Sequence, residues 1–161
     1  MTEINITKLT ILISSAFYVA SLTQTAYCTN DCKSSLMVFL VGILGVLTEL
    51  GGILNFILEK LNGHYSSLKN DIGATFVWFA NPLILFSLFI LISNKKSAFI
   101  FSIISTTLIL LFFAFDKVID NEAGHYSKVT EIKLGYWLWL LSSLTILIGS
   151  SIILKMKKNN P

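Results

Sequence analysis

Long apolar runs separated by short polar connections form the main pattern along the chain. The runs cover residues 9–26, 36–58, 72–93, 98–115 and 135–154. Each run has at least 18 residues, and a helix of that length covers about 27 Å, close to the roughly 30 Å hydrocarbon core of a bilayer. The pattern therefore predicts an all-α fold, a polytopic membrane bundle with four or five transmembrane helices.

Composition leaves little material for any other kind of domain. Of the 161 residues, 54% are hydrophobic and only 13% are charged, whereas soluble domains carry about 25% charged residues. The longest polar stretch, residues 116–134, has 19 residues. We therefore expect a single transmembrane domain over residues 1–161 and no soluble domain.

The positive residues are all lysines, and their positions indicate an orientation. Lysines follow apolar runs at residues 95–96 and in the tail from residue 155 onward. Because cytoplasmic loops of membrane proteins are rich in Lys and Arg, both segments are expected in the cytoplasm, with the acidic connection 116–134 outside. No basic cluster reaches the density of a nucleic-acid site. The expected environment is the lipid bilayer, with the C-terminus in the cytoplasm and no nucleic acid bound.

The run 36–58 has two interpretations. Its sixteen Leu, Ile, Val, Phe and Met residues favour insertion by roughly 5–9 kcal/mol, against about 2.5–3.5 kcal/mol for the central Glu49. Spanning is therefore the favoured interpretation. The alternative is a re-entrant segment that breaks at Gly51-Gly52, because the apolar piece before the break is too short to cross. Spanning places the N-terminus outside and the connection 27–35 in the cytoplasm, whereas re-entry reverses both.

Small and polar residues recur on one face of this run. They follow helical steps of three and four: Gly42, Gly45, Glu49, Gly52 and Asn55. The glycines form a stripe on which another helix could pack closely. A Glu49 side chain on the same stripe would point into a bundle, where a buried intramembrane acid finds partners. Glu49 and Asn55 are therefore intramembrane polar candidates, either functional or involved in packing.

A third intramembrane polar candidate is Asn81, which precedes Pro82 inside the run 72–93. Proline removes a backbone donor and clashes with the carbonyl four residues earlier, so a kink is expected there. The freed carbonyl of Trp78 would line a cavity or be satisfied by neighbouring helices. Asn81 and the hydroxyl residues of 102–107 are expected neighbours of Glu49.

Cys28 and Cys32 are the only cysteines. On the outer side of a membrane they would form a structural disulfide, and in the cytoplasm they would remain reduced. Their C-x₃-C spacing is one residue longer than the redox motif C-x-x-C. Thiol oxidoreductase activity is therefore the least favoured function.

Recognisable catalytic, cofactor and metal motifs are missing from the sequence. His64 and His125 lack the spacing of metal-binding histidines, and no phosphate-binding loop or nucleophile elbow occurs. The sequence therefore predicts no cofactor, no metal site and no catalytic residues.

These observations favour a small multi-pass membrane protein without enzymatic activity. It would act by interaction with another membrane protein, of immunity or assembly type, or with itself as a homo-oligomer. The alternative is an oligomeric channel or small transporter subunit that uses the intramembrane Glu49. The small size and the lysine-only composition favour a cell membrane, the bacterial cytoplasmic membrane.

Overall fold

The computed structural model describes residues 2–62, 74–119 and 126–159, with the side chains of Glu49, Ile119, Lys158 and Asn159 excepted. These residues form five α-helices, α1 to α5: Glu3–Leu22, Ser35–Leu61, Ala80–Ile90, Lys95–Leu111 and Leu134–Asn159. Two 3₁₀ helices accompany them: Ala74–Phe79 before α3 and Phe112–Ala114 after α4. Five short strands, β1 to β5, complete the described chain: Thr25–Cys28, Cys32–Ser34, Lys117–Ile119, Tyr126–Lys128 and Glu131–Ile132.

Four helical segments are long and apolar enough to cross a membrane. They are Glu3–Leu22, Ser35–Leu61, Lys95–Ala114 and Leu134–Lys157. A shorter apolar segment, Ala74–Ile90, combines the first 3₁₀ helix with α3, and at roughly 2.0 Å and 1.5 Å per residue these two parts reach about 28 Å. The predicted fold class, a polytopic α-helical membrane bundle, is confirmed, with small sheets added at one end.

Polar side chains fix where three of the helices begin. Thr2 accepts a hydrogen bond from the Asn5 backbone at the start of α1. Ser34 does the same at the start of α2, and the Asn94 side chain accepts from the Ser97 backbone at the start of α4. Each cap satisfies one of the free N–H groups in the first turn, so these helices begin at defined residues.

The centre of the bundle is a hydroxyl seam between α1, α4 and α5. The Ser14 hydroxyl donates to the Ser142 carbonyl across 2.9 Å. Ser143 of α5 meets the hydroxyl oxygens of Ser105 at 2.7 Å and Thr106 at 2.8 Å, both on α4. In a bilayer, lipid tails are as apolar as leucine, so close packing of small residues and interhelical hydrogen bonds hold helices together. This seam explains why the bundle interior is rich in serine.

The sheets form a cap at one end of the bundle. Strand β1 pairs with both β2 and β5, with Cys28 opposite Glu131, and β3 pairs with β4. The pairing brings the cysteine hairpin beside the connection 112–133, at the end where α1 stops and α5 starts. Cys28 and Cys32 are joined by a disulfide within the cap.

Removing this disulfide is expected to destabilise the cap. The double substitution Cys28→Ser and Cys32→Ser should lower the free energy of unfolding by about 2 kcal/mol, because a short closed loop no longer restrains the unfolded chain. The measurement is unfolding of purified protein in mixed micelles without reductant. Reductant should bring the wild type to the variant's stability and leave the variant unchanged. Equal stability of the oxidised wild type and the variant would contradict the prediction.

The opposite end of the bundle carries lysines. Lys95, at the start of α4, lies 3.5 Å from the carboxylate of Glu3 at the start of α1. Leu91, Ala98 and Ile153 form a small core cluster at this end. The beginning of α1, the turn between α3 and α4 and the last turns of α5 therefore lie together, and we call this the lysine end.

Helix α2 lies at the periphery of the bundle. It is unbroken through Gly51-Gly52, so the helix break required by the re-entrant interpretation is not observed. Its main contacts are with β1, β2 and the 3₁₀ helix Ala74–Phe79, which itself packs against β3. The chain thus leaves the capped end in α2 and is again at the capped end when α3 is reached.

This arrangement combines parts of both interpretations of the run 36–58. The segment is one continuous helix, as spanning requires. The cysteine hairpin nevertheless lies on the same side as the connection 112–133, as re-entry requires, because β1 pairs with β5. The start of α1 and the end of α5 both lie at the lysine end.

Candidate functional site: a cavity beneath the cap

A cavity of about 550 Å³ separates the first half of α2 from the rest of the bundle. Its walls come from α2, the 3₁₀ helix Ala74–Phe79 and the capped ends of α1 and α5. The volume falls within the range of roughly 300–1,000 Å³ that is typical of small-molecule sites. It is therefore the candidate functional site.

Trp78 forms the wall between α2 and the 3₁₀ helix. Its indole N–H donates to the Phe39 carbonyl across 2.8 Å, and the two rings stack with centroids 6.4 Å apart. The ring lies directly on Gly42, where an added Cβ would stand 2.1 Å from Trp78 Cδ1. One turn further, a Cβ on Gly45 would stand 3.0 Å from Thr75. The absence of side chains at both glycines lets α2 approach this wall closely.

Asn81 joins three elements behind that wall. Its side-chain oxygen accepts from the Tyr18 hydroxyl of α1 at 3.1 Å, and its amide donates to the Trp78 carbonyl at 3.1 Å. The Trp78 carbonyl is four residues before Pro82, which has no N–H to offer it. Pro82 lies in the first turn of α3, where a missing N–H is tolerated. The Asn81 amide therefore supplies the hydrogen bond that proline cannot.

The capped end of the cavity is polar and aromatic. Lys33 and Ser35 line it from β2 and the start of α2, and Tyr136 and Trp139 line it from α5. The Tyr136 hydroxyl is already bonded to the Ile109 carbonyl. Within the described part of the chain, the Trp139 indole nitrogen and the Ser35 hydroxyl are buried without a hydrogen-bond partner. Buried polar atoms without partners are rare in native proteins. Each requires an explanation, such as a bound water or ligand.

The structure divides the predicted site residues into two groups. Gly42, Gly45 and Asn81 line the cavity. Gly52 and Asn55, further along α2, lie exposed outside it. Glu49 lies between the two groups on the α2 backbone, but its side chain is outside the described residues, so its predicted contact with Asn81 stays a prediction.

Other contributors to the cavity carry weak signals in the sequence. Trp139 and Tyr136 are typical of aromatic residues at a membrane interface, and nothing in that pattern marks them as cavity residues. Ser35 lies just before the apolar run 36–58, and Tyr18, which holds Asn81 behind the wall, lies in the middle of the run 9–26. Only the pairing of distant segments brings them together.

Metal binding has no support among the residues that the structure describes. They contain no group of three or more His, Cys, Asp or Glu side chains arranged to hold an ion. His64 and His125 lie outside the described residues.

Comparison with known proteins adds no relative. No protein-family model matches the chain, and no curated protein or solved structure shows significant similarity to it. Function is therefore inferred from the geometry of the chain itself.

Proposed function

We propose that this multi-pass membrane protein acts without catalysis, by binding a transmembrane helix of another membrane protein along the second half of α2. The binding face is a docking stripe formed by Thr48, Gly52, Asn55 and Glu59, which follow helical steps of four, three and four. The contrast between the two halves of α2 carries this proposal.

The first half of α2 is covered and the second half is open. At Gly42 and Gly45 an added Cβ would meet Trp78 or Thr75, whereas at Gly51 and Gly52 it would meet no described atom within 4 Å. Small residues allow helix backbones to approach closely in a bilayer. Glycines allow the first half of α2 to pack against its own bundle. The glycines of the second half have no such contact among the described residues.

Polar groups on the open stripe also favour a protein partner over lipid. Thr48 satisfies its hydroxyl with the Leu44 carbonyl of its own helix, at 2.9 Å. Asn55 is exposed and makes no side-chain hydrogen bond within the described chain. A carboxamide that faces hydrocarbon lacks the hydrogen-bond partners that water would provide. Leaving such a polar group unsatisfied costs several kcal/mol, as an order of magnitude. A polar residue on a partner helix would remove that cost.

The bundle interior supports a role without catalysis. Its buried hydroxyls are used in hydrogen bonds across the seam, such as those of Ser14 with Ser142 and of Ser143 with Thr106. These groups hold helices together, and their hydroxyls are engaged in hydrogen bonds.

The same reasoning gives the proposed location. Lys95, Lys96, Lys155 and Lys157 lie at the lysine end, so the positive-inside rule places that end and both termini in the cytoplasm. The disulfide cap would then face an oxidising exterior, where such bonds persist. A bacterial cytoplasmic membrane fits this orientation.

Site-specific photo-crosslinking in native membranes tests the proposed interface. A photoreactive residue at position 55 should give a protein adduct whose mass differs from that of a dimer of this chain, because position 55 faces the partner helix. The same residue at position 54, turned by about 100° around α2 from position 55, should give none. Gly52→Leu should abolish the adduct by blocking close approach, while Leu54→Trp, which adds bulk beside the stripe, should leave it.

Other outcomes would overturn the proposal. An adduct with twice the mass of the chain would assign the stripe to a second copy, the arrangement that the channel alternative with Glu49 requires. Equal labelling from positions 54 and 55, with lipid as the only product, would show that the stripe simply faces the bilayer.

A further inference from the structure

We infer that the cavity beneath the cap holds one acyl chain of a glycerolipid, with the ester carbonyl of that chain at the capped end. This inference concerns the covered first half of α2, and it shares with the docking stripe only Thr48, which also lines the cavity. Three features of the cavity carry it: its lining, its polarity and its position.

The deep part of the cavity is lined by apolar groups. Val38 and Val41 of α2 and Val77 of the 3₁₀ helix belong to this lining. A cavity with such walls does not hold ordered water well, because water needs several polar partners. A hydrocarbon chain matches these walls, and the volume of about 550 Å³ gives it room.

The capped end offers hydrogen-bond donors to an oxygen atom. The Trp139 indole can only donate, and within the described chain neither it nor the Ser35 hydroxyl has a partner. An ester carbonyl is an acceptor without a donor of its own, so it complements Trp139. The cavity is thus polar at the capped end and apolar below it. An acyl ester has the same arrangement, with a polar carbonyl followed by an apolar tail.

The position of the cavity favours a bilayer lipid as the occupant. The cavity opens between α2 and the bundle, and the outer face of α2 is exposed along its length, with Leu40 and Leu47 more than half exposed. Trp and Tyr residues are enriched at the level of lipid headgroups, and Tyr27, Tyr136 and Trp139 mark that level at the capped end of the cavity. A lipid already in the membrane can therefore enter sideways with its carbonyl at the matching depth.

Native mass spectrometry of the purified full-length protein tests the inference. With phosphatidylglycerol added in detergent, we expect one lipid per chain to be retained at low lipid concentration. Val38→Trp should abolish this retention, because the residue lines the cavity and the indole fills it. Leu54→Trp, with the same added group on α2 outside the cavity, should bind like the wild type.

A second variant separates binding from folding. Trp139→Phe keeps an aromatic ring in the wall and removes only the N–H donor, so the bound fraction should correspond to about five-fold weaker binding, the effect of one hydrogen bond. The thermal midpoint of each variant is measured in parallel. The Trp139→Phe result decides the inference if Val38→Trp does not fold.

Three results would overturn the inference. The first is that the wild-type protein retains no lipid at any phosphatidylglycerol concentration lower than the detergent concentration. The second is unchanged retention in both Val38→Trp and Trp139→Phe. The third is a retained molecule with the mass of a free fatty acid in place of a glycerolipid, which would assign the site to a different source.

Discussion

Ser143→Leu is expected to disrupt the helix bundle. Ser143 has no exposed surface, and its hydroxyl lies within hydrogen-bond distance of Ser105 and Thr106 on α4. Leucine would force α4 and α5 apart and leave the Thr106 hydroxyl without its interhelical partner. Overpacking and an unpaired buried hydroxyl each cost about 1–3 kcal/mol, so the free energy of unfolding should fall by about 3 kcal/mol. Titration of the purified protein with SDS in mixed micelles measures this change.

Two matched variants test whether the seam is the cause. Ser143→Ala removes the hydrogen bonds without adding bulk, and it should cost about 1 kcal/mol. Thr145→Leu places a leucine about half a turn further along α5. The hydroxyl of Thr145 bonds to the Leu141 carbonyl of its own helix, so this substitution should have a small effect on the free energy of unfolding. Similar unfolding free energies for Ser143→Leu and Thr145→Leu would show that the seam does not hold the bundle.

Apolar length predicted the helices well because it measures a local property. Every predicted run overlaps one helical segment of the structure. The bounds were less accurate where polar residues face inward. Helix α1 begins at Glu3, six residues before the predicted run 9–26, and in this additional part the polar residue Thr7 is buried. Hydropathy treats such threonines as the edge of a helix.

The direction in which a hydroxyl points could not be predicted from composition. The hydroxyl residues of 102–107 were expected to be neighbours of Glu49. The side chain of Glu49 is outside the described residues, so this stays a prediction. Ser105 and Thr106 bond to Ser143 of α5. A serine in an apolar run can line a polar path or pack against another helix, and only the identity of the facing helix separates the two.

The path of α2 depends on contacts that are distant in sequence. The energy balance of insertion concerns the segment alone, and it correctly allowed an unbroken helix. The side on which the cysteines lie is decided by the pairing of Tyr27 with Ile132 and of Cys28 with Glu131. The two strands are more than a hundred residues apart, and strands this short carry little local signal.

Gly42→Ala is expected to detach the first half of α2 from the bundle. The added methyl would stand 2.1 Å from Trp78 Cδ1, and Trp78 cannot easily give way because its N–H is bonded to the Phe39 carbonyl. The contact should be weakened by about 1–3 kcal/mol, the usual cost of overpacking. Gly51→Ala is the matched control, since an added Cβ there meets nothing within 4 Å and replacing a helical glycine by alanine should stabilise α2 by about 0.5–1 kcal/mol.

Quenching of Trp78 fluorescence by brominated acyl chains measures this detachment. In a Trp137→Phe and Trp139→Phe background, Trp78 is the only tryptophan. Gly42→Ala should increase its quenching in vesicles, since α2 no longer covers the ring, and Gly51→Ala should leave quenching unchanged. Unchanged quenching in both would mean that α2 adjusts around the methyl group without leaving the wall. An increase confined to Gly42→Ala would show that a single glycine holds α2 over the cavity, and therefore that the shape of the cavity depends on the position of this helix.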